Sequence, residues 1–176
     1  MNTSVIRYRV AEFLKRYAPF DALAESDLLD LSGSGRVKFH ESEEYVFRQG
    51  QPKGDFVWVV QQGRVELIEE SSEREQLRDV LGEGDVLGLE RFVGNGTCLC
   101  SARTATDVIL YAIHAALFEA LIPRYPAVER YLGRSDSGTS HRPRHRSPEL
   151  PLRAALRLTA PEPVAGYHGS DSSPQR

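Results

Sequence analysis

The spacing of apolar residues predicts two helical segments at the start of the chain. Across Val5–Tyr17 the apolar side chains fall near one face at helical spacing, which predicts an amphipathic helix that ends before Pro19. The next stretch, AESDLLDLSGSG, predicts a shorter helix with Ser26 as its N-cap and with Gly33 and Gly35 at its end. The chain therefore begins with helices rather than strands.

Strand-like runs replace this pattern from residue 36 onwards. Val, Phe, Trp and Tyr dominate the runs, and Gly50, Gly54 and Gly63 separate them where turns with positive φ are expected. A final helical segment is interrupted by Pro123 and Pro126. The predicted fold class is therefore mainly β with flanking α-helices, an antiparallel double-stranded β-roll of jelly-roll type. Its runs are RVKFH, EYVFRQG, DFVWVVQQG, RVELIEE, QLRDVLGEGDVLG and CSARTATDVILYAI.

The composition changes near Gly133. Residues 134–176 contain six of the ten prolines and seven arginines but no lysine, and such a segment buries little apolar surface. We expect a helical segment at 1–35, a β-roll with its following helices at 36–133, and a disordered Ser/Pro/Arg-rich tail at 134–176. Two interpretations of the tail stay open, a native segment that binds acidic partners and a reading frame disrupted after Leu132.

Charge and cysteine content narrow the class of protein. The whole chain has a net charge of −3 and the tail one of +3, so residues 1–133 carry −6. Nucleic-acid-binding domains, by contrast, usually present a basic face. No apolar run is long enough to span a membrane, and no signal peptide is recognisable. Cys98 and Cys100 are spaced poorly for a disulfide with each other. We therefore expect a cytoplasmic protein that binds neither DNA nor membranes.

The ordered strands and glycines resemble the cyclic-nucleotide-binding domain superfamily, with its catabolite-activator-like β-roll. VFRQGQPKGDFVWVVQQGRVELIEE resembles the first strands of that roll, and LGEGDVLG resembles the approach to its phosphate-binding cassette. DVILYAIHAALFEAL resembles the last strand and the helix after it, so the resemblance covers about residues 8–132. The opening VAEFLKRYAPFDALAESDLLDL looks most like the N-terminal module of bacterial regulatory proteins with CBS and nucleotidyltransferase-like regions.

The resemblance implies a cassette without its usual charged anchors. In the superfamily the pattern Phe-Gly-Glu-x-Ala is followed by Pro-Arg-x-Ala-Thr, where the glutamate takes the ribose hydroxyl and the arginine pairs with the phosphate. Here Gly88 matches the glycine, Leu89 stands at the glutamate position, and Glu90 is one residue away. Counting back from the last strand places Ser101 at the threonine and Cys98 at the arginine. The candidate ligand-binding residues are Gly88, Leu89, Glu90, Arg91, Cys98, Ser101 and Arg103.

Arg91 and Arg103 are, in the sequence, the only nearby cations that could replace the missing arginine. Arg103 has the strand parity of Ser101, so both are expected on one face, and pairing with a surface acid is the simpler interpretation for Arg103. Glu90 is likewise interpreted as a solvated glutamate at a helix start. The two thiols supply too few ligands for a closed zinc site, so no metal site is predicted.

The function implied by the resemblance is regulatory. No spacing of Ser, His, Asp or Cys points to catalysis, so an enzyme and a cofactor are not expected. The resemblance implies a ligand-sensing module with a degenerate cassette, for which a cyclic nucleotide or another small anion is at most a weak ligand. Two alternatives stay open: a protein–protein docking module without a nucleotide, and a remnant of a catabolite-activator-type transcription regulator or multidomain signalling protein. A protein partner or a homodimer is compatible with these functions.

Overall fold

A computed structural model of the chain describes residues 3–92 and 97–135. These residues form four α-helices, eight strands and three short 3-10 helices. The α-helices are α1 (Thr3–Leu14), α2 (Glu25–Ser34), α3 (Ala115–Leu121) and α4 (Pro126–Ser135). The strands are β1 (Arg36–His40), β2 (Tyr45–Phe47), β3 (Phe56–Gln62), β4 (Val65–Glu70), β5 (Glu75–Leu81), β6 (Val86–Leu87), β7 (Ser101–Thr104) and β8 (Val108–His114). The 3-10 helices are Phe20–Ala22, Leu89–Phe92 and Ile122–Arg124.

The strands form two antiparallel sheets of four strands each. The first sheet has the order β1-β8-β3-β6, and the second has the order β2-β7-β4-β5. In the first sheet Val37 of β1 lies opposite Tyr111 of β8, and Phe39 lies opposite Ile109. Helices stand before and after this pair of sheets in the chain. The predicted fold class, an antiparallel β-roll with flanking helices, is confirmed.

Two apolar clusters fill the layers of this roll. Because successive strand residues point to opposite faces, the first sheet contributes alternate side chains to each cluster. The cluster between the helices and the first sheet includes Phe13, Leu14, Phe20, Val57, Val59, Leu89, Ile113 and Phe118. The cluster between the two sheets contains Val60, Val65, Leu81, Leu87, Ala102, Val108 and Leu110.

The start of α2 differs from the predicted one. The helix begins at Glu25, so Ala24 rather than Ser26 is the N-cap, and no side chain caps it. The backbone N–H of Ala24 instead donates to the hydroxyl of Tyr125, 3.2 Å away, and Glu25 and Asp27 place negative charge in the first turn. Carboxylates at that position stabilise the helix dipole, which makes a serine cap dispensable.

The turn glycines follow the prediction at two of three positions. Gly63, between β3 and β4, has a φ of +91°, and a side chain there would meet the carbonyl oxygen of Asp107 at 2.3 Å. Gly50 also has a positive φ, +77°, whereas Gly54 does not adopt this conformation. Gly63 is therefore required both by its backbone conformation and by the close approach of a neighbouring chain segment.

The closing helical segment is interrupted as its prolines predicted. Helix α3 ends at Leu121, a 3-10 turn containing Pro123 follows, and α4 begins at Pro126. The remainder of the predicted tail, residues 136–176, lies outside the described residues, and the three-part division of the chain stays a prediction. Over the ranges 3–92 and 97–135, no helix has the length and apolar character needed to cross a membrane.

Candidate functional site

The candidate site is the cassette, which we define as residues 86–92 and 97–101. It begins with β6 and turns at Gly88, whose φ of +85° lies in the region that glycine adopts readily. A Cβ atom at Gly88 would lie 3.4 Å from the carbonyl oxygen of Phe56, so the turn packs closely against β3. The short helix Leu89–Phe92 follows directly after this turn.

The apolar residues of that short helix pack into the core. Leu89 is only 4% exposed and belongs to the cluster beneath the helices. Phe92 stacks on Phe118 of α3, with ring centroids 5.4 Å apart, and Phe118 meets Phe20 edge-on at 6.0 Å. Leu89 is therefore a core residue, and the cassette is joined through aromatic rings to the flanking helices.

Glu90 is half-buried, which differs from the solvated glutamate that the sequence suggested. Burial raises the pKa of its carboxyl group, while its own backbone and the Lys53 ammonium act in the opposite direction. Lys53 Nζ also donates a hydrogen bond to the backbone carbonyl of Glu90. The cassette therefore brings together a carboxylate and an ammonium group from distant parts of the chain.

Cys98 and Cys100 lie in the electrostatic neighbourhood of Glu90. Cys98 is buried, and its backbone pairs with the loop before β3 through Cys98 N–H to the Gln51 carbonyl, 3.0 Å, and Gly50 N–H to the Cys98 carbonyl, 2.9 Å. Burial and then the Glu90 carboxylate raise the pKa of both thiols, for Cys100 to about 12. Both cysteines therefore stay neutral at physiological pH, and neither presents a positive charge to a ligand.

Ser101 is fully buried and serves the contact between strands. Its hydroxyl accepts the backbone N–H of Gln49 at 2.9 Å and donates to the carboxylate of Glu70. The side-chain amide of Gln49 exchanges two further hydrogen bonds with the backbone of Glu70, at 2.7 and 3.0 Å. This network ties β7 to β4 and to the segment after β2, so Ser101 has its polar atom engaged within the roll.

Arg103 is held by three glutamates. Its guanidinium lies 3.1 Å from Glu66, which stands directly opposite on β4, and 3.6 and 3.9 Å from Glu75 and Glu43. A hydrogen bond with Glu66 is the main cause that raises the pKa of Arg103. The interpretation of Arg103 as the partner of a surface acid is confirmed.

The side chain of Arg91 binds to the backbone of the loop before β3. Its guanidinium donates to the carbonyl oxygen of Gly54 and lies 5.6 Å from the ring centroid of Phe92. Among the described residues, Lys53 is therefore the cation that meets the cassette at Glu90, and the view that Arg91 and Arg103 are the only nearby cations is wrong. No local sequence pattern indicates Lys53. Its position near Glu90 depends on a long-range contact, the isolated bridge that pairs Pro52 with Thr97.

The arrangement can accept hydrogen bonds more readily than it can bind an anion. The side chains of Leu89 and Cys98 are apolar or neutral, and the nearest carboxylate, Glu90, repels negative charge. Within residues 3–92 and 97–135, no group of three His, Cys, Asp or Glu side chains is arranged to hold a metal ion.

Comparison with known proteins identifies the family. The model of the cyclic nucleotide-binding domain matches residues 37–125, from the second residue of β1 to the residue after the 3-10 turn that follows α3. The chain belongs to the cyclic nucleotide-binding domain family. The match includes the whole cassette and all eight strands except the first residue of β1.

A curated relative is similar to most of this chain. The chain is 28% identical over 148 residues to the cGMP-dependent protein kinase, isozyme 2 forms cD5/T2, of Drosophila melanogaster. The match covers 81% of this chain but only 15% of the length of that kinase.

The similar structures come from a kinase subunit and a transcriptional regulator. One is the regulatory subunit of a cAMP-independent protein kinase A from Trypanosoma cruzi bound to guanosine, with a TM-score of 0.67, 20% identity and coverage of 77% of this chain and 48% of that one. Another is the sensor domain of the regulator DNR from Pseudomonas aeruginosa, with a TM-score of 0.66, 18% identity and coverage of 74% and 88%. At these identities the likeness shows the fold.

Proposed function

We propose that this chain is a non-enzymatic regulatory module whose cassette has lost the ability to hold the phosphate of a cyclic nucleotide tightly. The observation that carries the proposal is the environment of Cys98, the residue that the resemblance aligns with the family's arginine. Its thiol is buried and neutral; burial and then the Glu90 carboxylate raise its pKa, and the Lys53 ammonium lowers it to a smaller extent. A phosphate placed there would meet the Glu90 carboxylate, opposed only by the Lys53 ammonium, which already donates to the Glu90 carbonyl.

The expected loss of affinity is large. Removing one partner of a buried charge pair costs about 2–5 kcal/mol, because the remaining charge is left without compensation. We therefore expect cyclic AMP and cyclic GMP to bind with a dissociation constant no better than about 100 μM, or about −5.5 kcal/mol. Stacking and backbone hydrogen bonds would account for the binding that remains.

An uncharged nucleoside suits this cassette better than an anion does. The Glu90 carboxylate can accept hydrogen bonds from ribose hydroxyls, and a ligand without a phosphate avoids its repulsion. The trypanosomal structure that resembles this chain was solved with guanosine, which is such a ligand. These two points support a nucleoside as the ligand of the module.

Calorimetric titration of the full chain tests this proposal. Guanosine and adenosine should each bind at least about tenfold more tightly than the corresponding cyclic nucleotide. Micromolar binding of cyclic AMP or cyclic GMP would contradict the proposal. Absence of any heat with all four ligands would remove the nucleoside from the proposal and leave a module that senses none of them.

A single substitution can restore the missing anchor. Cys98→Arg places a guanidinium beside Glu90 and should strengthen cyclic-nucleotide binding at least about tenfold, without improving nucleoside binding. Cys98→Met is the matched control, because it enlarges the same buried side chain without adding charge. Equal effects of the two variants on cyclic-nucleotide affinity would show that position 98 does not face the phosphate.

A further inference from the structure

The first strand of the roll is an exposed edge with apolar side chains. In the described sheets β1 pairs only with β8, so its other side presents backbone N–H and C=O groups without a neighbouring strand. Val37 is 53% exposed and Phe39 is 61% exposed, and their i, i+2 spacing places them on one face. An exposed phenylalanine on an edge strand invites pairing with another chain.

Val37 and Phe39 lie on the face of the first sheet that the helices cover at the neighbouring strand, β8. Val37 and Phe39 lie opposite Tyr111 and Ile109 of β8. The ring of Tyr111 meets that of Phe13 in α1 edge-on at 5.4 Å. The helical layer therefore reaches β8 at Tyr111 but leaves Val37 and Phe39 of the edge strand more than half exposed.

The other face of β1 is basic. Arg36 and Lys38 are exposed, and neither forms an ion pair with any residue that the structure describes. Arg103, by contrast, is surrounded by three glutamates. The first 133 residues carry a net charge of −6, so two cations without an ion pair on one strand make β1 differ in charge from the rest of the domain.

We propose that β1 is a docking strand for an extended segment of a partner protein in which acidic and apolar residues alternate. The segment would add antiparallel to the sheet edge, with its apolar residues over Val37 and Phe39 and its acidic residues beside Arg36 and Lys38. The inference does not depend on the ligand of the cassette.

The same charges argue against a second copy of this chain as the occupant. Antiparallel pairing of β1 with its own copy would bring Arg36 and Lys38 close to the same cations of the partner, and like charges on paired strands are destabilising. Lysine on an edge strand can also serve only to prevent aggregation. The experiment must therefore separate specific strand addition from general charge and from edge protection.

The probe is a fluorescein-labelled hexapeptide, Glu-Val-Glu-Ile-Glu-Val, titrated with the full chain and followed by fluorescence anisotropy. The control peptide has the same composition in the blocked order Glu-Glu-Glu-Val-Ile-Val, which cannot place acids and apolar residues on opposite faces. We expect the alternating peptide to bind at least about fivefold more tightly than the blocked one. Methylation of alternate backbone nitrogens on the edge-facing side should abolish its advantage, because it removes the donors of the new ladder.

Matched variants locate the binding strand. Lys38→Glu should weaken binding of the alternating peptide at least about fivefold. Lys15→Glu, the same change at an exposed position just after α1, should change the affinity less than about twofold. Phe39→Thr retains a strand-forming residue and should weaken binding about threefold.

Three results would overturn the proposal. Equal binding of the two peptides would exclude strand addition, and equal effects of Lys38→Glu and Lys15→Glu would reduce the attraction to net charge. Concentration-dependent dimerisation of the chain in sedimentation, abolished by Phe39→Thr, would make a second copy the occupant of β1.

Discussion

Two carboxylates of this domain have opposite environments, and the contrast distinguishes a structural cluster from the candidate site. Asp27, at the start of α2, is 12% exposed and accepts two hydrogen bonds from the guanidinium of Arg124, at 2.9 and 3.0 Å, and one from the hydroxyl of Tyr125. Hydrogen bonds to Tyr125 and Arg124 lower the pKa of Asp27. We call Asp27, Arg124 and Tyr125 the hinge clasp, because they fasten α2 to the turn between α3 and α4.

Glu90 in the cassette has the reverse situation. Burial raises its pKa more than the Lys53 ammonium lowers it, and its neighbours Cys98 and Cys100 are neutral thiols that add no compensation. A carboxylate whose ionised form the fold stabilises holds elements together, whereas one whose ionised form the fold disfavours is a candidate for a ligand site. Chemical reactivity and substitutions at the two carboxylates and their neighbours can test this contrast.

The reactivity of Cys100 should show most strongly that the cassette is desolvated. A pKa of about 12 reduces the thiolate fraction in mildly alkaline solution by about three orders of magnitude relative to the ordinary value. Alkylation of Cys100 by iodoacetamide, located by mass spectrometry, should therefore be at least about a hundredfold slower in the folded chain than in denaturant. A difference smaller than about tenfold would mean that water reaches the thiol freely.

The stability of Leu89→Glu tests which residue of the cassette belongs to the core. Leu89 is 4% exposed, so a carboxylate there would be buried among apolar side chains and should lower the free energy of unfolding by roughly 3 kcal/mol. Urea denaturation measures this change. Leu99→Glu, at a position that is 61% exposed, is the control and should stay within about 0.5 kcal/mol. Similar losses for both variants would show that the contrast between residues 89 and 99 is wrong.

These residues also show how far the sequence alone leads. Glycines and alternating apolar runs predict the roll because turns and buried strand faces restrict the residues locally. The direction of Leu89 and Glu90 could not be predicted, since it depends on a one-residue register within a short helix that tertiary packing decides. Lys53 is 37 residues from Glu90 in sequence, and no local pattern brings the two together. The hinge clasp likewise joins Asp27 to Arg124 and Tyr125, which lie 97 and 98 positions away in sequence, so no local pattern predicts it.

Removal of the Asp27 charge should loosen the hinge clasp. Asp27→Asn retains the size of the side chain and should lower the free energy of unfolding by about 1 kcal/mol at neutral pH, a modest value because Arg124 is largely exposed. The lowered pKa means that the folded state favours the ionised form, so this contribution is lost as the pH falls through the folded-state pKa. Variant and natural chain should therefore converge in stability in acid.

The control for the hinge clasp is Asp30→Asn. Asp30 is 75% exposed and, among the residues that the structure describes, forms an ion pair only with Arg7, so its loss should cost less than about 0.5 kcal/mol. Hydrogen exchange of the turn Ile122–Arg124 provides the local measurement, because Asp27→Asn should increase exchange there and Asp30→Asn should not. Equal protection in the two variants would contradict the role of Asp27 at the hinge.

Glu90→Gln should have the smallest effect on stability and the opposite sign. The raised pKa of Glu90 means that folding disfavours its ionised form, so its favourable contribution is present below the unfolded-state pKa and is lost as the pH rises through the folded-state value. Glutamine imitates the protonated acid, and the variant should therefore be more stable than the natural chain at neutral pH, by about 0.5 kcal/mol, and equal to it in acid. Urea titrations across the acidic range give the difference in unfolding free energy between the variant and the natural chain at each pH. This difference should change with pH in the direction opposite to that for Asp27→Asn. The same variant should lose nucleoside affinity if the carboxylate accepts ribose hydroxyls. A variant less stable at neutral pH would place Glu90 with Asp27, as a residue that holds the fold together.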